Sequence, residues 1–173
     1  MDIDKIKQSI RNIPDFPKPG IQFKDITTLL LNHHIFKEVI DIFYNKFKNS
    51  KIDVIVGIES RGFIFASPLA LKLGCKFVLA RKQGKLPSDT TREDYNLEYG
   101  TDAIEIHSDA INNGDKVLIL DDLLATGGTA KATCNIVKRL GGEILCIAFL
   151  IRLKGLKGKE NLNSLPIYAI LEY

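Results

Sequence analysis

The sequence predicts an α/β fold in which a twisted, mainly parallel sheet is flanked by helices. From Ile52 onward, short runs rich in β-branched residues alternate with segments of helical length, which is the pattern of βαβ units. The chain has 173 residues, enough for one compact core, and 45% of them are apolar, as in ordinary globular proteins. We therefore expect residues 1–173 to form a single domain.

Four apolar runs predict the strands of this sheet: Ile52–Ile58, Lys76–Ala80, Lys116–Leu120 and Glu143–Ile151. Helices are expected between them over Gly62–Leu73 and Thr129–Leu140. The second helix is expected to end at Gly141-Gly142, because glycine readily adopts the left-handed conformation that closes helices.

The residues before the sheet follow a different pattern. Ile3, Ile6 and Ile10 recur at helical spacing, which predicts a short amphipathic helix. The stretch Ile13–Gly20 contains three prolines, which fix φ and remove amide donors, so we expect an extended arm without regular structure. A second helix is indicated by apolar residues that share one face: Ile35, Phe36, Val39, Ile40, Phe43 and Phe47.

The polar, turn-rich stretch Lys85–Gly100 interrupts the alternation of strands and helices. Long irregular insertions in compact domains are usually functional, and many of them form lids over active sites. We expect this stretch to be irregular and to serve the activity.

Charge and composition exclude several classes of function. The formal net charge is +3 and the basic residues are scattered, so the continuous basic stripe of duplex-binding proteins is missing. The sequence shows neither a signal peptide nor an apolar run near the ~20 residues of a membrane span. Three widely spaced cysteines in apolar surroundings indicate reduced thiols. We expect a cytoplasmic protein that binds a small anion, and neither nucleic acid nor membranes.

The segment Ala125-Thr126-Gly127-Gly128-Thr129 is typical of a loop that binds phosphate. It separates a buried strand from a helix, the position at which parallel sheets bind ligands. Gly127 and Gly128 let oxygen atoms approach the backbone, and the N–H groups at the helix start favour an anion. Thr126 and Thr129 add hydroxyl donors. The P-loop pattern GxxxxGK[ST] is absent from the sequence.

Asp121 and Asp122 lie just before this loop, at the carboxyl end of the strand. Paired carboxylates often do no more than end a strand, and beside a phosphate they would repel the ligand. They fit if they accept hydrogen bonds from the hydroxyls of a ribose or help to hold a metal ion. A sugar phosphate accounts for the acidic pair and the loop together.

The segment VLILDDLLATGGT resembles the phosphoribosyl-pyrophosphate motif of type I phosphoribosyltransferases. Four further segments resemble, in order and spacing, the adenine phosphoribosyltransferase family: IPDFPKPGIQFKDIT, GIESRGFIFASPLA, ARKQGKLP and YNLEYG. The resemblance implies a purine salvage enzyme that converts adenine and phosphoribosyl pyrophosphate to AMP and pyrophosphate. It also implies the type I phosphoribosyltransferase fold, a base-binding hood over residues 1–34, a flexible catalytic loop over residues 85–100, magnesium bound mainly through phosphoribosyl pyrophosphate, and a homodimer.

The resemblance also assigns roles on the phosphate side. Asp121 and Asp122 would contact the ribose hydroxyls, and Ala125–Thr129 would hold the 5′-phosphate. Pyrophosphate would be bound by Ser60, Arg61, Arg81, Lys82 and Lys85. Fixed cations, with Arg61 taking a catalytic part, would stabilise the charge that gathers on this leaving group. Judged from the residues alone, Lys82 and Lys85 are equally typical of surface salt bridges.

Proton transfer is assigned by the resemblance to Glu98, with Tyr99 assisting, because adenine must lose an imidazole proton as it attacks. Judged from the residues alone, Glu98 is an ordinary solvent-facing strand residue. Adenine would be read by backbone groups of Gln22 and Lys24 and by stacking on Phe23. Leu123 would lie against the other face of the base, or in the core.

Two alternatives remain open. A phosphoribosyltransferase for hypoxanthine, guanine or xanthine would keep the phosphate loop but lose the arm PGIQFKDIT. A non-catalytic sensor of phosphoribosyl pyrophosphate would need a DNA-binding module besides this domain. No carboxylate or cysteine lies at ligand spacing from the histidines, so no metal site held by the protein alone is expected.

Overall fold

The computed structural model describes residues 2–96, 101–162 and 165–173, and the chain divides into two compact units, residues 1–46 and 47–173. A single domain over residues 1–173 stays a prediction. In the described part of the chain, no helix combines the length and the apolar character that crossing a membrane requires.

The N-terminal unit contains four short elements and the greater part of a long helix: α1 (Ile3–Gln8), β1 (Arg11–Pro14), β2 (Gln22–Asp25), α2 (Thr27–Leu30) and α3 (His33–Phe47). Both predicted helices are confirmed. The prediction that regular structure is absent from Ile13 onward is wrong for Ile13 and Pro14, which end β1. Proline is tolerated there because β1 is an edge strand in a two-stranded sheet.

The second unit is built on a sheet with strands β3 (Val54–Ile58), β4 (Lys76–Lys82), β5 (Thr90–Asn96), β6 (Thr101–His107), β7 (Lys116–Leu124), β8 (Glu143–Arg152) and β9 (Ile167–Glu172). Their order is β5-β6-β4-β3-β7-β8-β9. Neighbouring strands among β4, β3, β7, β8 and β9 are parallel, whereas β6 runs antiparallel to both β4 and β5. The mainly parallel sheet expected from the sequence is confirmed.

The described residues of this unit also form the helices α4 (Gly62–Leu73), α5 (Gly128–Arg139) and α6 (Gly158–Asn161). All five residues of β3 are buried, as expected of a central strand in a parallel sheet. Strand β3 pairs with β4 on one side and with β7 on the other. The carboxyl ends of β4, β3 and β7 are therefore neighbours, and parallel sheets bind their ligands at such a switch point.

Three expectations for this unit need correction. The stretch Lys85–Gly100 is not irregular throughout, because Thr90–Asn96 forms β5, a strand whose polar composition suits a sheet edge. Strand β9 was not predicted, since a six-residue apolar run gives no decisive periodicity. Helix α6, which begins at the buried Gly158, was not predicted either.

Candidate active site

The predicted phosphate loop lies between β7 and α5. Gly127 has a φ of 79°, a left-handed conformation that glycine adopts without strain, and it caps the N-terminus of α5. A cavity of about 100 Å³ is lined by Asp121, Leu123 and every residue of Ala125–Thr129. The loop thus forms one wall of this small cavity. The cavity lies at the N-terminus of a twelve-residue helix, a position that favours the binding of an anion.

A larger cavity of about 390 Å³ adjoins the carboxyl ends of β3 and β7. Its lining comprises Glu59, Ser60, Arg61, Lys82, Asp121, Asp122 and Leu123. Asp121 and Leu123 line both cavities, so the two cavities meet at the end of β7. The structure thereby brings the predicted acidic pair between the phosphate loop and two of the predicted cations.

Asp121 and Asp122 lie in surroundings that disfavour two negative charges. Burial raises the pKa of Asp121 well above its ordinary value, and the neighbouring Asp122 raises it further. Burial also raises the pKa of Asp122, but the Arg61 guanidinium opposes this shift, with Nε 2.9 Å from Oδ2. Asp122 is the member of the pair that has a cation beside it, so we assign the higher proton affinity to Asp121.

The four predicted cations separate into two groups. Arg61 and Lys82 line the larger cavity. Arg81 instead donates from Nε to Glu59 Oε2, at 3.2 Å, and from Nη1 to the Lys85 carbonyl oxygen, at 3.0 Å. Neither Arg81 nor Lys85 lines either cavity. The structure therefore brings together two of these cations, while Arg81 lies in β4 outside both cavities and Lys85 lies in the segment that follows β4.

Glu59 organises this group, although the sequence analysis did not single it out. Its carboxylate pairs with Arg81 and accepts the Lys82 backbone N–H at 2.8 Å. Burial works to raise the Glu59 pKa, but these donors outweigh it and the pKa is lowered. Glu59 lies next to Ser60 and Arg61, just past the end of β3, and this position in the sequence could have indicated its part in the site.

Tyr95 and Asp102 were also missed by the sequence analysis. The Tyr95 hydroxyl donates to Asp102 Oδ2 at 3.2 Å and is hydrogen-bonded to the Thr129 side chain. Lys82 Nζ lies 3.0 Å from the same Asp102 oxygen. A chain of polar contacts thus connects the phosphate loop with a cation of the larger cavity, and the pairing of β6 with both β4 and β5 brings Lys82, Asp102 and Tyr95 together.

The predicted adenine-reading residues of the arm form β2. Gln22 pairs with Pro14 in the antiparallel register. Since proline has no N–H, Pro14 donates no ladder hydrogen bond to Gln22. The ring of Phe23 contacts Phe16 edge-on, with centroids 5.1 Å apart.

The two predicted proton-transfer residues, Glu98 and Tyr99, lie outside the described residues. The described residues that flank them in sequence belong to β5 and β6, which pair from Asn96 with Thr101 to Thr90 with His107.

Comparison with known proteins agrees with this geometry. The family described as "Phosphoribosyl transferase domain" matches residues 25–165. The chain belongs to this family. It is 52% identical to "Adenine phosphoribosyltransferase 4" of Arabidopsis thaliana over 171 residues, which cover 99% of this chain and 94% of that protein. It is 53% identical to "Adenine phosphoribosyltransferase" of Chloroflexus aurantiacus, over 95% of each protein.

Solved structures of phosphoribosyltransferases share the fold. The adenine phosphoribosyltransferase of Thermoanaerobacter pseudethanolicus superposes with a TM-score of 0.96 at 46% identity, covering 99% of this chain and all of the other. The enzyme of Saccharomyces cerevisiae, solved with adenine and an imino-altritol bisphosphate, gives a TM-score of 0.93 at 41% identity over 97% of each chain. The type I phosphoribosyltransferase fold expected from the motif VLILDDLLATGGT is thereby confirmed.

Proposed function

We propose that this protein transfers the phosphoribosyl group of phosphoribosyl pyrophosphate to adenine and releases AMP and pyrophosphate. The observation that carries the proposal is the pair of adjoining cavities, one walled by the phosphate loop and one lined by Arg61 and Lys82, with Asp121 at their junction. A substrate with a phosphate at one end, a diol in the middle and a pyrophosphate at the other end matches this order. Relatives about 50% identical over nearly the whole chain bear the name of this activity.

The phosphate loop would hold the 5′-phosphate through backbone N–H groups and through the hydroxyls of Thr126 and Thr129. Each hydrogen bond to a charged group is worth roughly 1.5–3 kcal/mol, so a few convergent donors suffice without a lysine. Asp121 and Asp122 would accept hydrogen bonds from the ribose hydroxyls. This use suits carboxylates, because their negative charge repels a phosphate whereas their oxygen atoms accept hydrogen bonds from neutral hydroxyl groups.

Pyrophosphate would be bound by Ser60 and Arg61 in the loop after β3 and by Lys82 at the end of β4. Arg81 of β4 and Lys85 of the following segment would contribute as well. In the transition state, negative charge builds up on the leaving pyrophosphate while the anomeric carbon of the ribose becomes more positive. Cations fixed in advance therefore stabilise the transition state more than the ground state. Arg61 is the strongest candidate for this catalytic part, because its ion pair with Asp122 fixes the guanidinium at the cavity wall.

Adenine recognition would use β2 of the N-terminal unit. The backbone groups of Gln22 and Lys24 would read the base, because a peptide edge offers a donor and an acceptor that match N1 and the exocyclic amine of adenine. Phe23 would stack on the base, and Leu123 would contact its other face. Lys24 carries a positive charge but lacks the planar fork of an arginine.

Glu98 would manage the imidazole proton of adenine, assisted by Tyr99, on a flexible catalytic loop over residues 85–100. This part of the proposal rests on the match of YNLEYG to the family motif. Glu98→Gln keeps the size and removes the base, so turnover is expected to fall far more than the affinity for phosphoribosyl pyrophosphate. Wild-type turnover in this variant would remove Glu98 from the role.

Magnesium would enter with phosphoribosyl pyrophosphate. Across residues 2–96, 101–162 and 165–173, no group of three or more metal-ligating side chains is assembled. Two adjacent carboxylates, Asp121 and Asp122, fit a cation that takes one or two protein ligands and otherwise substrate phosphates and water. Bound there, the ion would neutralise charge on the phosphates. We further propose a cytoplasmic homodimer, as the family motifs imply.

The test is to mix the protein, magnesium and phosphoribosyl pyrophosphate with each purine separately and to measure nucleotide and pyrophosphate. Adenine is expected to give AMP and pyrophosphate in equal amounts, and hypoxanthine, guanine and xanthine to give little product. Efficient reaction of another base without AMP formation would overturn the substrate assignment. Binding of phosphoribosyl pyrophosphate without turnover of any base would point to the non-catalytic sensor instead.

A further inference from the structure

Helix α6 contacts the phosphate loop from outside the cavity. Gly158 begins this helix and is so close to Ala125 and Gly127 that a side chain on either glycine would collide; a Cβ on Gly127 would lie 2.9 Å from the Gly158 carbonyl oxygen. At the other end of α6, Asn161 Nδ2 donates to the Thr126 carbonyl oxygen at 2.8 Å. The acceptor is a carbonyl, which fixes the amide orientation of Asn161.

This contact controls the peptide that joins Thr126 to Gly127. The described cis peptides lie elsewhere, at Phe16–Pro17 and Glu59–Ser60, so the Thr126–Gly127 peptide is trans. In a trans peptide the C=O and the N–H point in opposite directions. Asn161 does not line the cavity of about 100 Å³ but a different one, together with Lys131 and Leu165. Holding the carbonyl on the Asn161 side therefore turns the Gly127 N–H toward the loop cavity.

We propose that Asn161 is a positioning residue for anion binding: it holds the Thr126–Gly127 peptide in the orientation that presents an N–H, and not a carbonyl oxygen, to the phosphate. The left-handed Gly127 makes such a restraint necessary, because glycine can rotate this peptide with little steric opposition. A flipped peptide would aim a partial negative charge at the anion. The inference deepens the proposed function, in which this phosphate is the 5′-phosphate of the substrate.

The test compares two variants that each remove an exposed amide from the last residue of a short helix. Asn161→Ala removes the donor to Thr126, and Gln8→Ala is the matched control at the end of α1. Inorganic phosphate is titrated into the whole protein by calorimetry and followed at the Gly127 amide by NMR. Asn161→Leu keeps the size of the side chain without a donor and is expected to behave as Asn161→Ala does.

We expect Asn161→Ala to raise the Kd for phosphate about three- to tenfold, the effect of one hydrogen bond, and to diminish the shift of the Gly127 amide. Gln8→Ala is expected to stay within twofold of the wild type. Equal phosphate affinity and an equal Gly127 shift in wild type and Asn161→Ala would overturn the inference, as would a wild type that binds no phosphate. If phosphate binding depends on Asn161 but no purine yields a nucleotide, the inference stands and the proposed function fails.

Discussion

Arg61 and Asp122 form an ion pair at the wall of the larger cavity, with Nε 2.9 Å from Oδ2. The Asp122 side chain is only 6% exposed, whereas that of Arg61 is 37% exposed. The pair therefore joins a buried carboxylate to a cation that still meets the cavity. Arg61 both neutralises Asp122 and offers positive charge to an anionic ligand.

Arg61→Ala is expected to lower stability and activity together. Asp122 would remain buried without its cation, and since Arg61 is partly solvent-screened we expect a loss of about 1–2 kcal/mol and not the larger cost of a fully buried pair. The kcat/KM for phosphoribosyl pyrophosphate should fall at least tenfold. Urea unfolding and steady-state kinetics measure the two effects. Arg61→Lys, which keeps the charge, should recover most of the stability; unchanged stability in Arg61→Ala would contradict the role of the ion pair.

Asp121→Asn is expected to raise stability while it lowers activity. Folding places Asp121 where its pKa is raised, so the protonated carboxyl group stabilises the folded state. This contribution is fully present below the unfolded pKa and is lost as the pH rises through the folded value. At pH 7.5 the neutral variant should gain about 1 kcal/mol, or roughly 2–4 °C in Tm. Below about pH 3.8 the gain should vanish. A variant less stable than the wild type at pH 7.5 would refute this assignment.

Tyr95→Phe removes the hydroxyl between Asp102 and Thr129 but keeps the ring, which packs against the core of the sheet. We expect a loss of about 1 kcal/mol in stability and a three- to tenfold fall in kcat/KM for phosphoribosyl pyrophosphate. The control is Thr91→Val in the same strand, which removes a 3.3 Å hydroxyl contact with Ser108. Equal kinetic losses in both variants would show that only the integrity of the hairpin matters.

Asp25→Asn is expected to weaken the N-terminal unit in a pH-dependent way. Hydrogen bonds from Arg11 and Thr27 lower the Asp25 pKa from 3.8 to about 2. A lowered pKa contributes stability that is present above the unfolded value and lost as the pH falls through the folded one. The variant should therefore lose about 1–2 kcal/mol at pH 7, and the difference should shrink between pH 4 and 2. The control is Asp4→Asn, which removes an exposed acidic side chain in α1.

The elements most accurately predicted from the sequence are those with a strong apolar pattern. Helix α4 has the predicted bounds, and the strands β3, β4, β7 and β8 lie where β-branched runs indicated them. Strand β5 was missed because its inward residues, such as Glu93 and Tyr95, form polar contacts with α5 rather than an apolar alternation. An edge strand of this kind depends on its neighbours and not on its own hydrophobicity.

The candidate site divides in the same way. Local motifs indicated the phosphate loop and the acidic pair, because the backbone conformation of a loop and the end of a strand are encoded within a few residues. Glu59, Asp102 and Asn161 were not found from the sequence. Asn161 contacts Thr126 across 35 positions, and Asp102 reaches Lys82 through the pairing of distant strands. Such contacts arise only when the sheet has assembled.

The sequence by itself determined the family, the α/β architecture and the identity of the phosphate loop, since glycines, threonines and paired aspartates act there through short-range geometry. Only the tertiary structure decided that two cavities meet at Asp121, that Arg61 neutralises Asp122, and that α6 restrains the loop from behind. The physical reason is that burial and charge pairing depend on which elements pack together. A residue's pKa and its contact partners follow from that packing and not from its place in the chain.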